Sequence, residues 1–582
     1  MLFWAALAGV LAAFTTIGFH MGMALVQQLA TGRSGSIVQV TTQLPWLGRI
    51  AFPALGGLAA GGLLWWASKI KAGSHSDYME SVAIGDGRLS MRHGLLRSLS
   101  SLITVSSGGS IGREGAMVHL GSMAASAIGQ FGRFSTVRLR LLVACGAAAG
   151  VAAAYGAPIA GALFVAEIVL GTMAMQSFGP LLVAAASANL VMRFTGHYTT
   201  TYAMYGMQHI PAPEVLPFIV LGLLTGLAAP LFLQFLGWCR SLFRRTRLPL
   251  PFRLCLGGIL LGGLLTFRPD VAGNGFSVVH SLLHDQWAWH AVVLILIFKV
   301  LATALTVGSG AVGGVFTPAL FVGGAFGTLI GKLVAWLMPS VGAHVYMYTL
   351  VGMGSFLGAA TNAPLMAILM IFEMTLSYQL VLPLMLACVV AYFVSRAVAE
   401  VAMYDVIVAR ERDRRLLHEM RHTTLGQLVR PAATIVSTTT PLSEALQMFA
   451  DYPVRYLYVV DENNVYHGVI AQQDLTSLML GQQDISDTLA GDVLRLDFVR
   501  TLYSNMALDQ AQSHFVQFDG ERLPVVSRDE HPRLLGVVYK SSLLEKYSAL
   551  KRSLDVSGES LMVYRAGRRD QSFRKKRSQA RQ

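Results

Sequence analysis

In the stretch "SSGGSIGREGAMVHLG" (residues 106–121), Arg113 and Glu114 stand between glycines, inside a segment otherwise apolar enough for a lipid bilayer. A carboxylate in that setting costs about 2.5–3.5 kcal/mol even on translocon-insertion scales, so it needs either a partner or a task. The surrounding residues point to one. Glycines ahead of a helix let backbone N–H groups face a small ion unobstructed, and a helix that begins inside a membrane aims unpaired amides and its positive dipole end at that ion. "VGGVFTPA" (312–319) offers a second start of the same kind. Two such ends, converging, could hold a dehydrated halide with neutral dipoles alone, weakly enough for the ion to leave again. Glu114 would then compete with the ion for the same amides: ionised it blocks the path, protonated it swings aside. Two plainer readings compete with this one. A nucleotide-binding phosphate loop is disfavoured, because the segment lacks a Gly-Lys-Ser/Thr ending and lies among membrane segments. Glycines for helix packing with an Arg113–Glu114 ion pair remain open as the second.

The elements that must position these residues are membrane helices. Of 582 residues, 54% are hydrophobic and only 13% charged, which excludes an ordinary soluble protein. Apolar runs long enough to span recur through residues 1–402, including 172–192, 214–239 and 289–337. The first run lacks a basic leading segment and is long, so it reads as a retained helix and not as a signal peptide. Much of the glycine, 58 residues in all, clusters with Ala and Ser within the runs, where small residues allow helices to approach closely. Cys145, Cys239, Cys255 and Cys388 have no metal or disulfide spacing and read as small core residues. The net charge of +13 concentrates outside the runs, at 239–253, at 409–415 and in the tail, which by the positive-inside rule faces the cytoplasm. Attraction to anionic lipid headgroups accounts for the basic tail better than nucleic-acid binding does.

The membrane part repeats. "AAAYGAPIAGALFVAE" (152–167) and "GAATNAPLMAILMIFE" (358–373) each carry Ala-Pro with a glutamate nine residues after the proline, and Gly146 and Gly352 fall at one offset before them. Upstream, "SGGSIGREGA" (107–116) corresponds to "SGAVGGVFTP" (309–318). Glycine-interrupted segments at corresponding places in two halves point to inverted repeats that meet at a midplane site.

At about residue 405 the composition changes: the first 400 residues hold ten of the 32 acidic residues. A soluble part begins there. "VRYLYVVDENNVYHGVIAQQDLTSLM" (454–479) is echoed by 520–547, each preceded by a helix opening, "TTPLSEALQMF" or "SNMALDQAQSHF", whose Thr, Ser or Asn could cap the first amides. The expected unit is helix, strand, strand, helix, twice over.

"GSIGREGA", "GSGAVGGVFTPALFVGG", the two Ala-Pro helices and the trailing strand-strand-helix pair together resemble the CLC chloride channels and proton-coupled exchangers, with "SDYMES" and "GREGAM" similar to the bacterial ClcB-type branch. The resemblance implies an all-α polytopic membrane protein with inverted internal repeats, followed by an α/β pair of cytoplasmic CBS domains. The expected boundaries are a transmembrane core at 1–408, a linker at 409–424, CBS domains at 425–486 and 487–548, and a basic, disordered tail at 549–582. It further implies a homodimer in the cell inner membrane, multi-pass, with one anion pathway per subunit. Carried over by motif, Glu114 is the gating glutamate. Gly112, Arg113 and Gly115 lie around the outer anion site, the amides of Val315 and Phe316 meet the central ion, and the Tyr404 hydroxyl touches it. Read without the family, Tyr404 would be an interfacial anchor.

The pattern departs from the family in three places. The first signature reads "GSHSD" (73–77), which makes Ser74 the expected serine ligand and Ser76 its rival. Ile168 follows Glu167 where well-studied exchangers carry a second, proton-transferring glutamate. Because Glu373 occupies the place of Glu167 in the other repeat, Glu167 reads as a structural helix contact, and His119 as a packed side chain. In the CBS pair, Asp474 matches a ribose-binding aspartate, but Ala471 and Ser542 break the rest of that pattern, so an adenine nucleotide there stands beside a purely dimerising role. The expected function is chloride transport through a glutamate-gated pathway, as a voltage- or proton-gated channel, with a chloride/proton antiporter as the alternative. A membrane-anchored nucleotide sensor is the rival from another class, and a cation carrier is disfavoured by the lack of a carboxylate ring. Chloride, protons, lipid and a second copy of the chain are the expected partners, with no nucleic acid. No catalytic triad, metal cluster or cofactor box marks an enzyme.

Overall fold

The computed structural model describes residues 1–556 except 34, 71–76, 84, 172, 199–201, 203–213, 340–343, 400–401, 405–415, 417–418, 476–487, 497–498, 517 and 519. The chain divides into two units, Met1–Val408 and Ala409–Gln582. The first is built of helices: α1 (Leu2–Thr31), α2 (Ile37–Gln43), α3 (Trp46–Lys69), α4 (Tyr78–Ala83), α5 (Met91–Ser106) and α6 (Glu114–Phe131). There follow α7 (Thr136–Tyr155), α8 (Pro158–Phe164), α9 (Met175–Phe194), α10 (Val215–Arg245), α11 (Leu250–Phe267) and α12 (Phe276–His284). The last are α13 (Trp289–Ser309), α14 (Phe316–Leu337), α15 (Val345–Thr361), α16 (Pro364–Thr375) and α17 (Val381–Val398). Among the described residues, nine helices are long and apolar enough to cross a membrane. Others stop short of the span, and the functional loops lie between them. At 1.5 Å per residue, α10 is roughly 46 Å long, more than the hydrocarbon core, and must cross it obliquely.

Both halves use the same local grammar. α7 ends on Gly156 with φ 69° and α15 on Asn362 with φ 56°, left-handed positions that Gly and Asn occupy at low cost. Each is followed by Ala and then by a proline at the first helical position, where the missing N–H is no loss. Helix pairs cross at glycines in both halves. A Cβ at Gly121 of α6 would stand 2.6 Å from the Gly146 carbonyl oxygen of α7, and one at Gly323 of α14 would collide with the Gly352 carbonyl of α15. Backbone-to-backbone contact of this closeness explains the glycine clusters. The halves differ after α8, which continues as a π-turn, Val165–Val169, that holds Glu167 and Ile168.

In the second unit, β1 (Ile435–Ser437), α18 (Leu442–Asp451), β2 (Tyr456–Val460) and β3 (Tyr466–Ala471) are followed by β4 (Leu502–Tyr503), α19 (Leu508–Val516), β5 (Arg522–Val526), β6 (Leu534–Tyr539) and α20 (Lys540–Val556). Two three-stranded sheets result, ordered β1-β2-β3 and β4-β5-β6, each with a parallel pair first and an antiparallel pair second. The expected repeat lacked β1 and β4, since strands of three and two residues show no alternation to read. The expected side-chain cap at α18 is not made: Pro441 is the N-cap, and Thr440 Oγ1 instead accepts the Ser437 N–H at 3.0 Å. The lead-in of each copy crosses to the other. Leu425 and Gly426 donate to Met506 and Ser504 and Arg430 pairs with Val537, while Ala490 and Gly491 donate to Thr440 and Thr438 and Arg495 pairs with Val469. Tyr456 and Arg522, at matching places in β2 and β5, clasp the copies: the tyrosine hydroxyl donates to the Arg522 carbonyl, and Arg522 Nη2 donates to the Tyr456 carbonyl at 2.9 Å. α20 runs on to Val556, past the boundary expected at 548, because "ALKRS" (549–553) continues a good helix-forming run.

Candidate functional site

The loops that precede α6 and α14 meet head to head. Gly112 N–H donates to the Gly314 carbonyl at 2.7 Å and Gly314 N–H to the Gly112 carbonyl at 3.0 Å, a two-residue antiparallel bridge between the two halves. The contact is close enough that a Cβ at Gly112 would stand 2.9 Å from the Gly314 carbonyl oxygen. α13 pins the first loop: Ser110 N–H donates to Thr306 Oγ1 at 3.2 Å and the Ser110 hydroxyl pairs with Thr303 at 3.1 Å. Two helix N-termini are thereby held against each other in the protein interior.

Glu114 is the first residue of α6, with Arg113 as N-cap, and is 6% exposed. It forms no ion pair with Arg113. Thr317, in the first turn of α14, donates its hydroxyl to Glu114 Oε1, and Tyr155, the last residue of α7, pairs with that threonine at 2.9 Å. Glu114 Oε2 is buried without a hydrogen-bond partner among the described residues, over Gly112 and Gly314. A carboxylate oxygen left this way is held weakly, since an unmade bond to a buried group costs about 1–3 kcal/mol or more.

The carboxylate borders two cavities. One, about 140 Å³, is lined by Glu114, Gly115, Phe316 and Tyr404, together with Asp77 and His119. The other, about 120 Å³, is lined by Glu114 and Arg113 with His20, Asn274 and Thr317. A wider recess of about 480 Å³ shares His20, Arg113 and Asn274 with it and has no Asp or Glu among its described lining residues. Lys299, fully buried in α13, donates to the carbonyls of Val271 at 3.0 Å and Gly273 at 2.7 Å, fixing the loop that presents Asn274 and Phe276 to both. Arg113 and the N-terminal dipole of α6 make this side favourable to anions.

The residues expected from sequence are thus sorted. Gly115, Phe316 and Tyr404 share the first cavity with Glu114, and Arg113 stands in the second. Gly112 makes the bridge, and Val315 is the N-cap of α14 without lining the first cavity. Tyr404 packs edge-on against Phe164 at 5.8 Å. Ser74 and its rival Ser76 lie outside the described residues. Sequence reasoning missed Thr317, Tyr155 and Asp77. The lone phenol in "AAAGVAAAYGAP" was the available signal for Tyr155, a polar group stranded among alanines. No group of three or more His, Cys, Asp or Glu side chains that could hold a metal occurs among the described residues.

Glu167 and Glu373 have a shared duty. Glu373 Oε1 and Oε2 accept the Ile159 and Ala160 N–H groups at 3.0 and 2.8 Å, at the start of α8. Glu167 does the same at α16, accepting from Leu365 at 3.4 Å and Met366 at 2.9 Å. Each glutamate caps the helix that carries the other, a favourable pairing of anion with helix N-terminus. Glu167→Gln and Glu373→Gln, which leave one acceptor and turn an NH2 toward an N–H, should each lose about 1–3 kcal/mol of stability and leave the pH profile of transport unchanged. Thermal unfolding in detergent with a flux assay checks both halves; an altered profile for Glu167→Gln at unaltered stability would assign it a proton. In the second unit, Arg495 holds Asp474 Oδ1 at 2.8 Å and Oδ2 is buried without a hydrogen-bond partner among the described residues.

Residues 56–396 match the voltage gated chloride channel family, and 425–481 match the CBS domain. A ClcB-like chloride channel protein of Ralstonia nicotianae is 48% identical over 71% of this chain and 97% of its own length. The voltage-gated ClC-type chloride channel ClcB of Escherichia coli K12 is 42% identical over 69% of this chain and 96% of its own. In fold the chain is similar to a slow cyanobacterial Cl−/H+ antiporter, with a TM-score of 0.61 and 24% identity over 70% of this chain and 97% of that one. It is similar too to a eukaryotic CLC transporter, with a TM-score of 0.57 and 18% identity over 93% of this chain and 97% of that one. With a family match across the paired helix starts and relatives aligned over nearly their whole length, the chain belongs to the CLC family of chloride transport proteins, as a multi-pass membrane member carrying a CBS domain.

Proposed function

We propose that the protein conducts chloride through the two cavities on either side of Glu114, as a proton-gated and voltage-sensitive channel in which this carboxylate is the gate. The observation that carries the reading is that one side chain borders both cavities, with one oxygen bonded to Thr317 and the other unpartnered. Two helix N-termini, each worth roughly half a positive charge, make the seat attractive to any anion. An ionised Glu114 occupies it. Protonation removes the charge that the dipoles attract, the side chain leaves, and a chloride ion takes its place. Binding by amides and hydroxyls is weak enough to release the ion onward toward Phe316 and Tyr404. Because its charged form competes with the ion in a potential-dependent field, the same residue responds to voltage.

Ile168 favours a channel over an antiporter: it sits in the π-turn packed on the apolar core, where it can carry no proton. The proposal extends to a homodimer with one path per subunit, in a bacterial inner membrane, with the CBS unit in the cytoplasm. The basic segments at 239–253 and 409–415 support that orientation. An adenine nucleotide on Asp474 would have to displace Arg495. The test is purified protein in liposomes with a chloride gradient and an internal pH probe. Chloride flux that rises on acidification without stoichiometric proton movement is the expected result. Proton transport locked to chloride against a gradient would replace the channel with an antiporter, and nucleotide binding without flux would replace both with a sensor.

A further inference from the structure

We propose that the side-chain amide of Asn274 is an anion ligand, holding a halide together with the Arg113 guanidinium on the Arg113 side of Glu114, short of the seat that Glu114 occupies. This places a station ahead of the gate on the proposed anion path, on which the inference rests. Asn274 lines both spaces on that side, the cavity of about 120 Å³ beside Glu114 and the recess of about 480 Å³. Its Oδ1 accepts the Phe276 N–H at 3.3 Å, which closes a turn ahead of α12. The turn uses the oxygen alone. The NH2 on the other arm of the amide, with two donors, has no hydrogen-bond partner among the described residues. An aspartate or a serine would close the same turn, so the NH2 is surplus to it.

The loop that carries Asn274 is fixed on both sides. Lys299 donates to the Val271 and Gly273 carbonyls, and the Gly273 N–H donates to the Gly108 carbonyl at 3.2 Å, tying this loop to the one that leads into α6. After Asn274, the Phe276 ring stacks on Tyr202 at 5.0 Å. A donor positioned in advance loses little freedom when an anion arrives. Arg113 lines the same two spaces, and its guanidinium makes no hydrogen bond or ion pair among the described residues. Glu114, the only Asp or Glu among the described lining residues of either space, takes its hydrogen bond from Thr317 instead. A partly buried guanidinium without a counter-ion, sharing its cavity with an unused NH2, is a donor set for an anion. Because one of the two donors is neutral, the ion is held without being trapped.

The experiment locates bromide by anomalous scattering in crystals of the full chain, and measures the half-saturating chloride concentration on each side in liposomes holding protein in one orientation. Asn274→Asp and Asn274→Ser both keep an acceptor for the Phe276 amide and remove the NH2, the first adding a negative charge and the second none. A bromide peak beside Asn274 and Arg113, separate from any at Gly112 and Gly314, is expected in the wild type and should vanish in Asn274→Asp and Arg113→Gln. Half-saturation on the Arg113 side should rise by about tenfold in Asn274→Asp and less in Asn274→Ser, with the value on the Tyr404 side unchanged. Absence of that peak from the wild type would overturn the proposal and leave the gate untouched, as would wild-type half-saturation in both folded Asn274 variants. A peak that Asn274→Asp abolishes, in a protein that moves no chloride, would uphold the site and sink the transport reading instead.

Discussion

Glu114→Gln should give a protein whose chloride flux is high at every pH and no longer responds to it. The wild-type carboxylate borders two cavities beside Gly112 and Gly314, and on the gating proposal it competes for that seat through its charge. Glutamine is nearly its shape but carries no charge at any pH, so the dipoles of α6 and α14 have no reason to keep it there against chloride. A single titrating gate changes occupancy up to tenfold per pH unit on the steep side of its titration, and that slope should become flat. Voltage sensitivity that arises from the same charge should go with it. Flux from liposomes across pH 4–8, at matched protein density, measures both. A pH profile like that of the wild type would remove Glu114 from the gate and leave the paired helix starts as an anion site without one.

The second large effect belongs to the helix crossings. At Gly146 an added Cβ would collide with the Gly121 carbonyl oxygen, and at Gly352 with the Gly323 carbonyl oxygen, backbone atoms that cannot rotate away. Gly146→Ala and Gly352→Ala should each destabilise the fold by about 3 kcal/mol, the upper end of the usual overpacking cost. Transport should be lost with it, because Gly121 lies seven residues from the start of α6 and Gly323 seven from the start of α14, so a pushed crossing displaces the helix starts proposed to hold the ion. Gly237→Ala in α10 is the control: nothing lies within 4 Å of its Cβ position, and alanine there should be neutral or gain up to about 1 kcal/mol in helix propensity. Thermal unfolding and flux measured on the three variants decide it. Equal behaviour of all three would mean that the glycines serve flexibility and not close approach.

The caps formed by Glu167 and Glu373 bear on the same architecture. A glutamate at the same place in both repeats already argued for a contact, and the structure makes it reciprocal, each carboxylate serving the short helix of the opposite half. On the proposed function, this leaves Glu114 as the carboxylate that gates the path. His119 is packed between helices, its Nε2 standing 2.8 Å from the Cβ position of Gly94 in α5.

Much of this was legible in the sequence because it is local. The apolar runs, the Ala-Pro starts and the glycines before Glu114 and Phe316 depend on neighbours a few residues away, and period and turn chemistry report them directly. The repeat added which of these correspond. What no local pattern carried is the set of partners: Thr317 reaches Glu114 across 203 residues, and the Gly112–Gly314 bridge closes a similar span. Asp77, just before the short helix α4, lines the same cavity. Likewise, the crossing lead-ins of the CBS pair are strand-like contacts one or two residues long, too brief to leave a period. A side chain's chemistry is written in its own residue type, but whether it faces an ion, a cap or a cavity depends on backbone brought close by packing of the whole unit, and only the tertiary structure decides that.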